Sequence, residues 1–243
     1  MKSRRLRELI LAPETLIMPD AFDPLSARVI ERLGFPAVQC SGFSMALAAM
    51  RPTEADLGLE ANVALTHAIA AAVQVPVMAD GEDGFGDAAG VPATVRAYVA
   101  AGAAGVNLED QVLAQPGPKR VVPCEEMVAK LKAARAAARN AGNADLVING
   151  RTDALTMGTD RQAGLREAAA RANAYLAAGA DLAFVVGVTS MEEVRYLLQE
   201  LKGPLSIAAG MPYNLRSLPL ADLRAAGVAR VSLPVVAVLA ALT

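Results

Sequence analysis

Short runs that are apolar at consecutive positions alternate along the chain with longer alanine-rich stretches whose apolar residues recur at helical spacing. The runs are TLIMP from Thr15, AVQCS from Ala37, VPVMAD from Val75, GVNLED from Gly105, LVINGR from Leu146, LAFVVG from Leu182, PLSIAAG from Pro204 and ARVSLP from Ala229. They predict eight strands. The stretches between them, such as PLSARVIERLG, VPATVRAYVAAG and RQAGLREAAARANAYLAAG, predict helices. Several end in Ala-Gly, where glycine accepts the left-handed C-cap.

Eight strand–helix units in 243 residues, with strands apolar on both faces, fit a parallel (β/α)8 barrel, a TIM barrel. A doubly wound open sheet would need a glycine-rich phosphate turn after its first strand. Here that turn reads PDAFDPLSA and holds no glycine. The expectation is one barrel domain over residues 1–243, with the final stretch LPVVAVLAALT ending part-way through the eighth helix.

Composition narrows the chemistry. The chain is 54% hydrophobic but 4% aromatic, so its core is to be built from Ala, Val, Leu and Ile. With 23 Lys and Arg against 25 Asp and Glu, it offers no footprint for nucleic acid or an anionic membrane, which points to a small-molecule partner. Cys40, Cys124 and the single histidine, His67, match no zinc spacing. Cys40 is expected in the core, His67 on a helix and Cys124 at a helix start. The opening MKSRRLRELILAPETL fails as a signal peptide because Pro13 and Glu14 break its short apolar run. No apolar stretch reaches the length of a membrane span, so a cytoplasmic setting is expected.

Barrel active sites lie at the C-terminal ends of the strands, so the polar residues there can be read as one surface. They include Asp20 and Asp23 after the first strand, Ser41 to Ser44 after the second, and Asp80, Glu82 and Asp83 after the third. Glu109, Asp110 and Gln111 follow the fourth, and Arg151 to Asp153 the fifth. The third of these turns, ADGEDGFG at Ala79–Gly86, crowds carboxylates that repel one another unless a cation or solvent separates them. Asp80, Glu82 and Glu109 supply only oxygen donors, which suits a hard divalent cation: Mg2+, or alternatively Mn2+. Arg151 suits either a bidentate hold on a substrate carboxylate or an ion pair with Asp153 or Glu109. The amides of Ser41, Gly42 and Phe43 could hold a second anionic group. Together these features imply a metal-chelating carboxylate substrate such as a 2-oxo acid.

The segments PDAFDPLSARVIERLGF, SGFSMA, ADGEDGFG, GVNLEDQ, NGRTDAL and AGADLAFV, in this order, carry a resemblance. From about Met18 to Pro234 the sequence resembles the isocitrate lyase / phosphoenolpyruvate mutase superfamily, particularly its short phosphonomutase-like or methylisocitrate-lyase-like members. The resemblance implies a Mg2+-dependent lyase that cleaves a C–C bond of a small 2-hydroxy or 2-oxo carboxylate through a metal-stabilised enolate. It makes Asp80 a direct metal ligand, puts Glu82 in place of a second Asp, and gives Glu109 a water-mediated contact. Arg151 matches the family's catalytic-site arginine, Ser41, Gly42 and Phe43 its substrate-holding turn, and Asp56 the acid of a P-D-x-G segment. C–P chemistry (phosphonomutase or phosphonopyruvate hydrolase), oxaloacetate decarboxylation and a non-catalytic metal- and carboxylate-binding barrel are the alternatives. The family's habit implies a homo-oligomer, tetramer or dimer.

Two departures stand out. The family's K-[KR]-C-G-H loop after the fourth strand is replaced by DQVLAQPGPKRVVPCEEM, which has no CGH, and leaves proton delivery unassigned. Gln39 stands where the family usually has an aromatic residue.

Overall fold

Eight parallel strands close on one another in chain order in the computed structural model, which describes residues 2–113 and 119–242. They are β1 Leu16–Ala21, β2 Val38–Cys40, β3 Val77–Asp80, β4 Gly105–Glu109, β5 Val147–Thr152, β6 Leu182–Val185, β7 Leu205–Ala208 and β8 Arg230–Leu233. Each predicted apolar run overlaps one of them. The ring closes where Leu16 to Pro19 pair with Arg230 to Leu233. This is the (β/α)8 barrel expected from the pattern of runs.

The helices are α1 Lys2–Leu11, α2 Pro24–Arg32, α3 Gly42–Ala48, α4 Glu54–Ala72, α5 Val91–Ala100, α6 Cys124–Asn140, α7 Arg161–Ala177, α8 Met191–Glu200, α9 Leu220–Ala226 and α10 Val236–Ala241. Their starts show how local sequence sets them. Asp23 caps α2: its Oδ1 accepts from the Ser26 amide at 2.7 Å and Pro24 opens the first turn. Asp23, which the sequence places at the mouth, is therefore a helix cap. Thr53, Asp160 and Ser190 cap α4, α7 and α8 in the same way.

The pattern of runs gave no sign of α1. Its Leu6 and Ile10 are buried against Leu16, Met18, Met78, Val147 and Leu182, so the helix closes the N-terminal end of the barrel. The opposite end is left for the site. Inside the barrel, between that plug and the mouth, lies a polar layer. Asn149 donates to Asn107 Oδ1 at 2.7 Å, and Arg230, fully buried, donates to Gln39 Oε1 at 2.7 Å and to Ser206 Oγ at 2.8 Å. Gln39 is thereby explained. Its Oε1 is the acceptor for a buried guanidinium. Among the described residues, no helix is long and apolar enough to cross a membrane.

Candidate active site

A cavity of about 360 Å³ opens at the C-terminal ends of the strands. Asp20, Ser41, Phe43, Glu54, Asp80, Glu82, Asn107, Glu109, Gln111 and Arg151 line it, joined by an apolar set from the last three strand ends. The sequence-predicted Asp80, Glu82, Glu109, Arg151, Ser41 and Phe43 thus meet in one place.

The acidic turn is tightly built rather than a solvated loop. The Glu109 amide donates to Glu82 O at 2.8 Å, Thr94 Oγ1 to Gly84 O at 2.9 Å and the buried Lys130 Nζ to Asp83 O at 2.8 Å. Glu82 and Phe85 take left-handed backbone angles, φ 50° and 52°, that side chains seldom adopt. Gly81 has no room for a side chain, because a Cβ there would lie 2.5 Å from Asn107 O. The turn also separates its acids. Asp80 and Glu82 face the cavity, while Asp83 bonds to the Phe85 amide and borders an outer cleft with Arg120 and Lys130.

The Ser-Gly turn serves Asp80. The Gly42 amide donates to Asp80 Oδ2 at 2.8 Å, the Ser41 amide to Ala21 O at 3.2 Å, and Ser41 Oγ accepts from the Ser44 amide as the cap of α3. Two of the three amides expected to hold an anion are therefore committed within the protein, leaving that of Phe43. A Cβ on Gly42 would overlap Glu82 Oε1, so only glycine lets this turn approach the acids.

Arg151 is held on two sides. Its Nε and Nη2 donate to Asp153 at 2.8 and 3.0 Å, and Nη1 lies 2.6 Å from Glu109 Oε2. That last contact has the separation of an ion pair without hydrogen-bond alignment, and both Glu109 carboxylate oxygens lack a hydrogen-bond donor. Burial works against the Arg151 charge, but Asp153 and Glu109 outweigh it and hold the pKa well above the ordinary value. Asp110 is different. It accepts from Thr152, Tyr175, Arg171 and the Asp153 amide, a set that makes it structural.

Asp20 Oδ1, Asp80 Oδ1, Glu82 Oε1 and both oxygens of Glu109 are buried without a hydrogen-bond partner. Burial raises the pKa of all four groups. Mutual repulsion adds to this: Asp80 and Glu109 act on Glu82, and Asp153 and Asp80 act on Glu109, while Arg230 and Arg151 oppose the rise at Asp20 and Glu109. Buried carboxylates with orphan oxygens need a proton or a cation. Among the described residues no three such side chains already close on one point as a finished cage. The oxygens instead border one cavity from neighbouring strand ends, which fits a hard cation that keeps positions open for a substrate.

One sequence expectation changes. Asp56 is exposed at the start of α4, where its carboxylate accepts from Thr53 Oγ1 at 2.7 Å, and the acid of this segment that lines the cavity is Glu54. Helical phase explains the exchange, since two residues apart on a helix point to different sides. Cys124 opens α6 as expected, but burial raises its thiol pKa. The segment that replaces the CGH loop is pinned at its base by a bridge between Gln111 and Val121, and its residues 114–118 lie outside the described residues. Arg230 escaped the sequence reading altogether. A charged residue inside an otherwise apolar run was its signal.

Comparison with known proteins decides the family. The phosphoenolpyruvate phosphomutase family matches residues 6–243, nearly the whole chain. The chain belongs to this family. Among phosphoenolpyruvate phosphomutase relatives, 2,3-dimethylmalate lyase of Eubacterium barkeri is 38% identical over 208 residues, 82% of this chain and 68% of that protein. The 2-methylisocitrate lyase of Aeropyrum pernix is 36% identical over 204 residues, 82% of this chain and 63% of that protein. The chain thus spans about two thirds of the length of these curated relatives. The crystal structure of phosphoenolpyruvate phosphomutase from Streptomyces platensis subsp. rosaceus superposes with a TM-score of 0.87 at 32% identity, covering 100% of this chain and 84% of that one.

Proposed function

We infer that this member of the family is a divalent-cation-dependent lyase that cleaves a C–C bond of a small 2-hydroxy or 2-oxo carboxylate. The observation that carries the reading is the set of buried acids with orphan oxygens around one cavity, with Arg151 beside them. Five cavity-lining carboxylates, Asp20, Glu54, Asp80, Glu82 and Glu109, face one guanidinium, so the charge of the side chains alone disfavours the anionic substrate the family implies. Asp80, Glu82 and Glu109 are the residues that would hold Mg2+ or Mn2+, which supplies a Lewis acid for the substrate oxygens and the charge that develops on them.

The chain's own residues do the rest. Gly42 orients Asp80 through its amide, and Asp153 fixes the guanidinium plane of Arg151. Arg151 has five N–H donors, two of them given to Asp153, and those remaining can bind a substrate carboxylate. Ser41 and Phe43 border the same space. Glu54 is half-buried at the cavity wall, and its charge helps to raise the pKa of Asp80, Glu82 and Glu109. It is the acid placed to exchange a proton between solvent and the reacting carbon, the step for which the loop has no Cys-Gly-His.

The test is an NMR screen in D2O with Mg2+ against isocitrate, methylisocitrate, dimethylmalate, oxaloacetate and phosphonopyruvate, with Asp80→Asn as control. Consumption of a hydroxy or oxo acid, with deuterium at the released carbon and loss in the control, is expected. Turnover of phosphonopyruvate alone moves the protein to C–P chemistry. Cation binding with no turnover of any compound supports the non-catalytic barrel.

A further inference from the structure

The turn that carries Asp80 and Glu82 is held from behind by the helix that follows it. Thr94 and Tyr98, four residues apart on α5 and both buried, each direct a hydroxyl at a carbonyl of this turn: Thr94 Oγ1 at Gly84 O, 2.9 Å away, and Tyr98 Oη at Asp80 O, 3.0 Å away. Tyr98 Oη also lies 2.9 Å from Asn62 Oδ1 on α4, so one proton serves two acceptors. The planar peptide unit between Asp80 and Gly81 is gripped at both edges, its carbonyl by Tyr98 and its N–H by Asn107 O at 3.0 Å. That plane sets the direction in which the chain leaves β3, and with it the placement of Glu82 relative to Asp80. The Asp80 side chain is fixed in turn through Oδ2 by the Gly42 amide, and Oδ1 is the oxygen without a partner.

We propose that Tyr98 is a positioning residue of the cation site: its hydroxyl, acting through the Asp80 carbonyl, holds the acidic turn in the arrangement a divalent cation requires. The inference rests on the reading of Asp80 and Glu82 as acids that hold the cation, and not on which bond the enzyme cleaves. Tyr98 is fully buried and does not line the cavity, and its hydroxyl bonds to a carbonyl and an amide oxygen rather than to a carboxylate. It therefore acts by geometry and not by charge. Geometry matters most for Mg2+, which demands near-ideal octahedral coordination, whereas Ca2+ accepts flexible sets of oxygens. Partners that orient ligating residues from outside are typically worth about ten- to a hundredfold in metal affinity.

The test is calorimetric titration of the full chain with Mg2+ and with Ca2+, for the wild type, Tyr98→Phe, Asn62→Ala and the control Tyr175→Phe. Tyr175 is an equally buried tyrosine whose hydroxyl donates to the structural Asp110 at 2.7 Å. Tyr98→Phe, which keeps the ring, is expected to lower Mg2+ affinity by about tenfold or more and Ca2+ affinity by less. Tyr175→Phe is expected to lower the melting temperature as Tyr98→Phe does, with both affinities unchanged. In Asn62→Ala the hydroxyl proton belongs to Asp80 O alone, so Mg2+ affinity is expected to stay at or above the wild-type value. Unchanged Mg2+ affinity in Tyr98→Phe, or an equal loss for the two cations, overturns the proposal and leaves the cation reading standing. A loss of the same size in Tyr175→Phe or in Asn62→Ala also overturns it, because softened packing would then be the cause. A wild type that binds neither cation removes the cation reading and the proposal with it.

Discussion

The mouth of this barrel has two halves of opposite character. Strands β1 to β5 end in Asp20, Ser41, Asp80, Glu109 and Arg151, whereas the ends of β6 to β8 present Phe184, Val186, Met211, Tyr213 and Val235. In the first half the protein leaves carboxylate oxygens buried without partners. In the second, the polar side chain of Asn214 is fully engaged in holding a turn. Unsatisfied polar atoms are costly and are retained where something else completes them, so the first half is built for ionic chemistry and the second for shape and exclusion of water. Arg230 joins the halves below the cavity, reaching from β8 to Gln39 on β2 and Ser206 on β7.

The largest expected effect lies in the acidic half. Asp80→Asn keeps the shape and removes the charge, and is expected to lower kcat/KM on the order of 10²–10³-fold with loss of Mg2+ binding by calorimetry. Unaltered cation affinity in this variant would remove Asp80 from the set. Gly42→Ala comes next. Its methyl group overlaps Glu82 Oε1 and crowds Asp80 Oδ2, so a loss of about 10²-fold in activity with little change in thermal stability is expected. Wild-type kinetics would show that the turn yields more freely than its contacts imply.

A smaller effect tests the link between the halves. Burial lowers the Arg230 pKa to about 10, against the pull of Asp20 and Asp80. Arg230→Met strips Gln39 and Ser206 of their donor, and a loss of about 1–3 kcal/mol in denaturant unfolding is expected. Adding Gln39→Leu should recover part of that loss, because both ends of the pair are then apolar. A double variant less stable than the single one would contradict the pairing.

The smallest expected effect is in pH dependence. Carboxylates whose pKa is raised on folding hold protons that the unfolded chain has already released. Their stabilising contribution is complete below about pH 4, the unfolded value, and is lost as pH rises through the raised folded values. Metal-free protein should therefore melt lower at pH 8 than at pH 5, and Mg2+ should raise the melting temperature more at pH 8, where fewer protons compete. Glu82→Gln should flatten this dependence, by about 2–4 °C for each kcal/mol removed. An identical pH profile in that variant would show that Glu82 keeps an ordinary carboxylate in solution.

The order of the strands was legible because eight short apolar runs separated by helical stretches admit few closed topologies. The position of each strand end was legible too, and with it the meeting of Asp80, Glu109 and Arg151. Reading stopped at the fifth strand end because the last three carry no clustered charge, and an apolar wall looks like core until the fold shows it facing a cavity. Asp56 matches the family's P-D-x-G segment, and nothing in the sequence marks Glu54, two residues before it. Both carboxylates sit in one segment, and only the phase and placement of α4 tell which one faces inward.

Sequence alone determined the periodicities, the punctuating glycines and the family, because these depend on local backbone preference and on motifs contiguous in the chain. Tertiary structure alone decided that Glu54 rather than Asp56 lines the cavity, that Asp83 lies outside it, that α1 plugs the far end, and that Gln39 serves Arg230 across 191 residues of chain. Burial, partner geometry and electrostatic repulsion act through space between residues distant along the chain, and they take definite values only when the barrel closes.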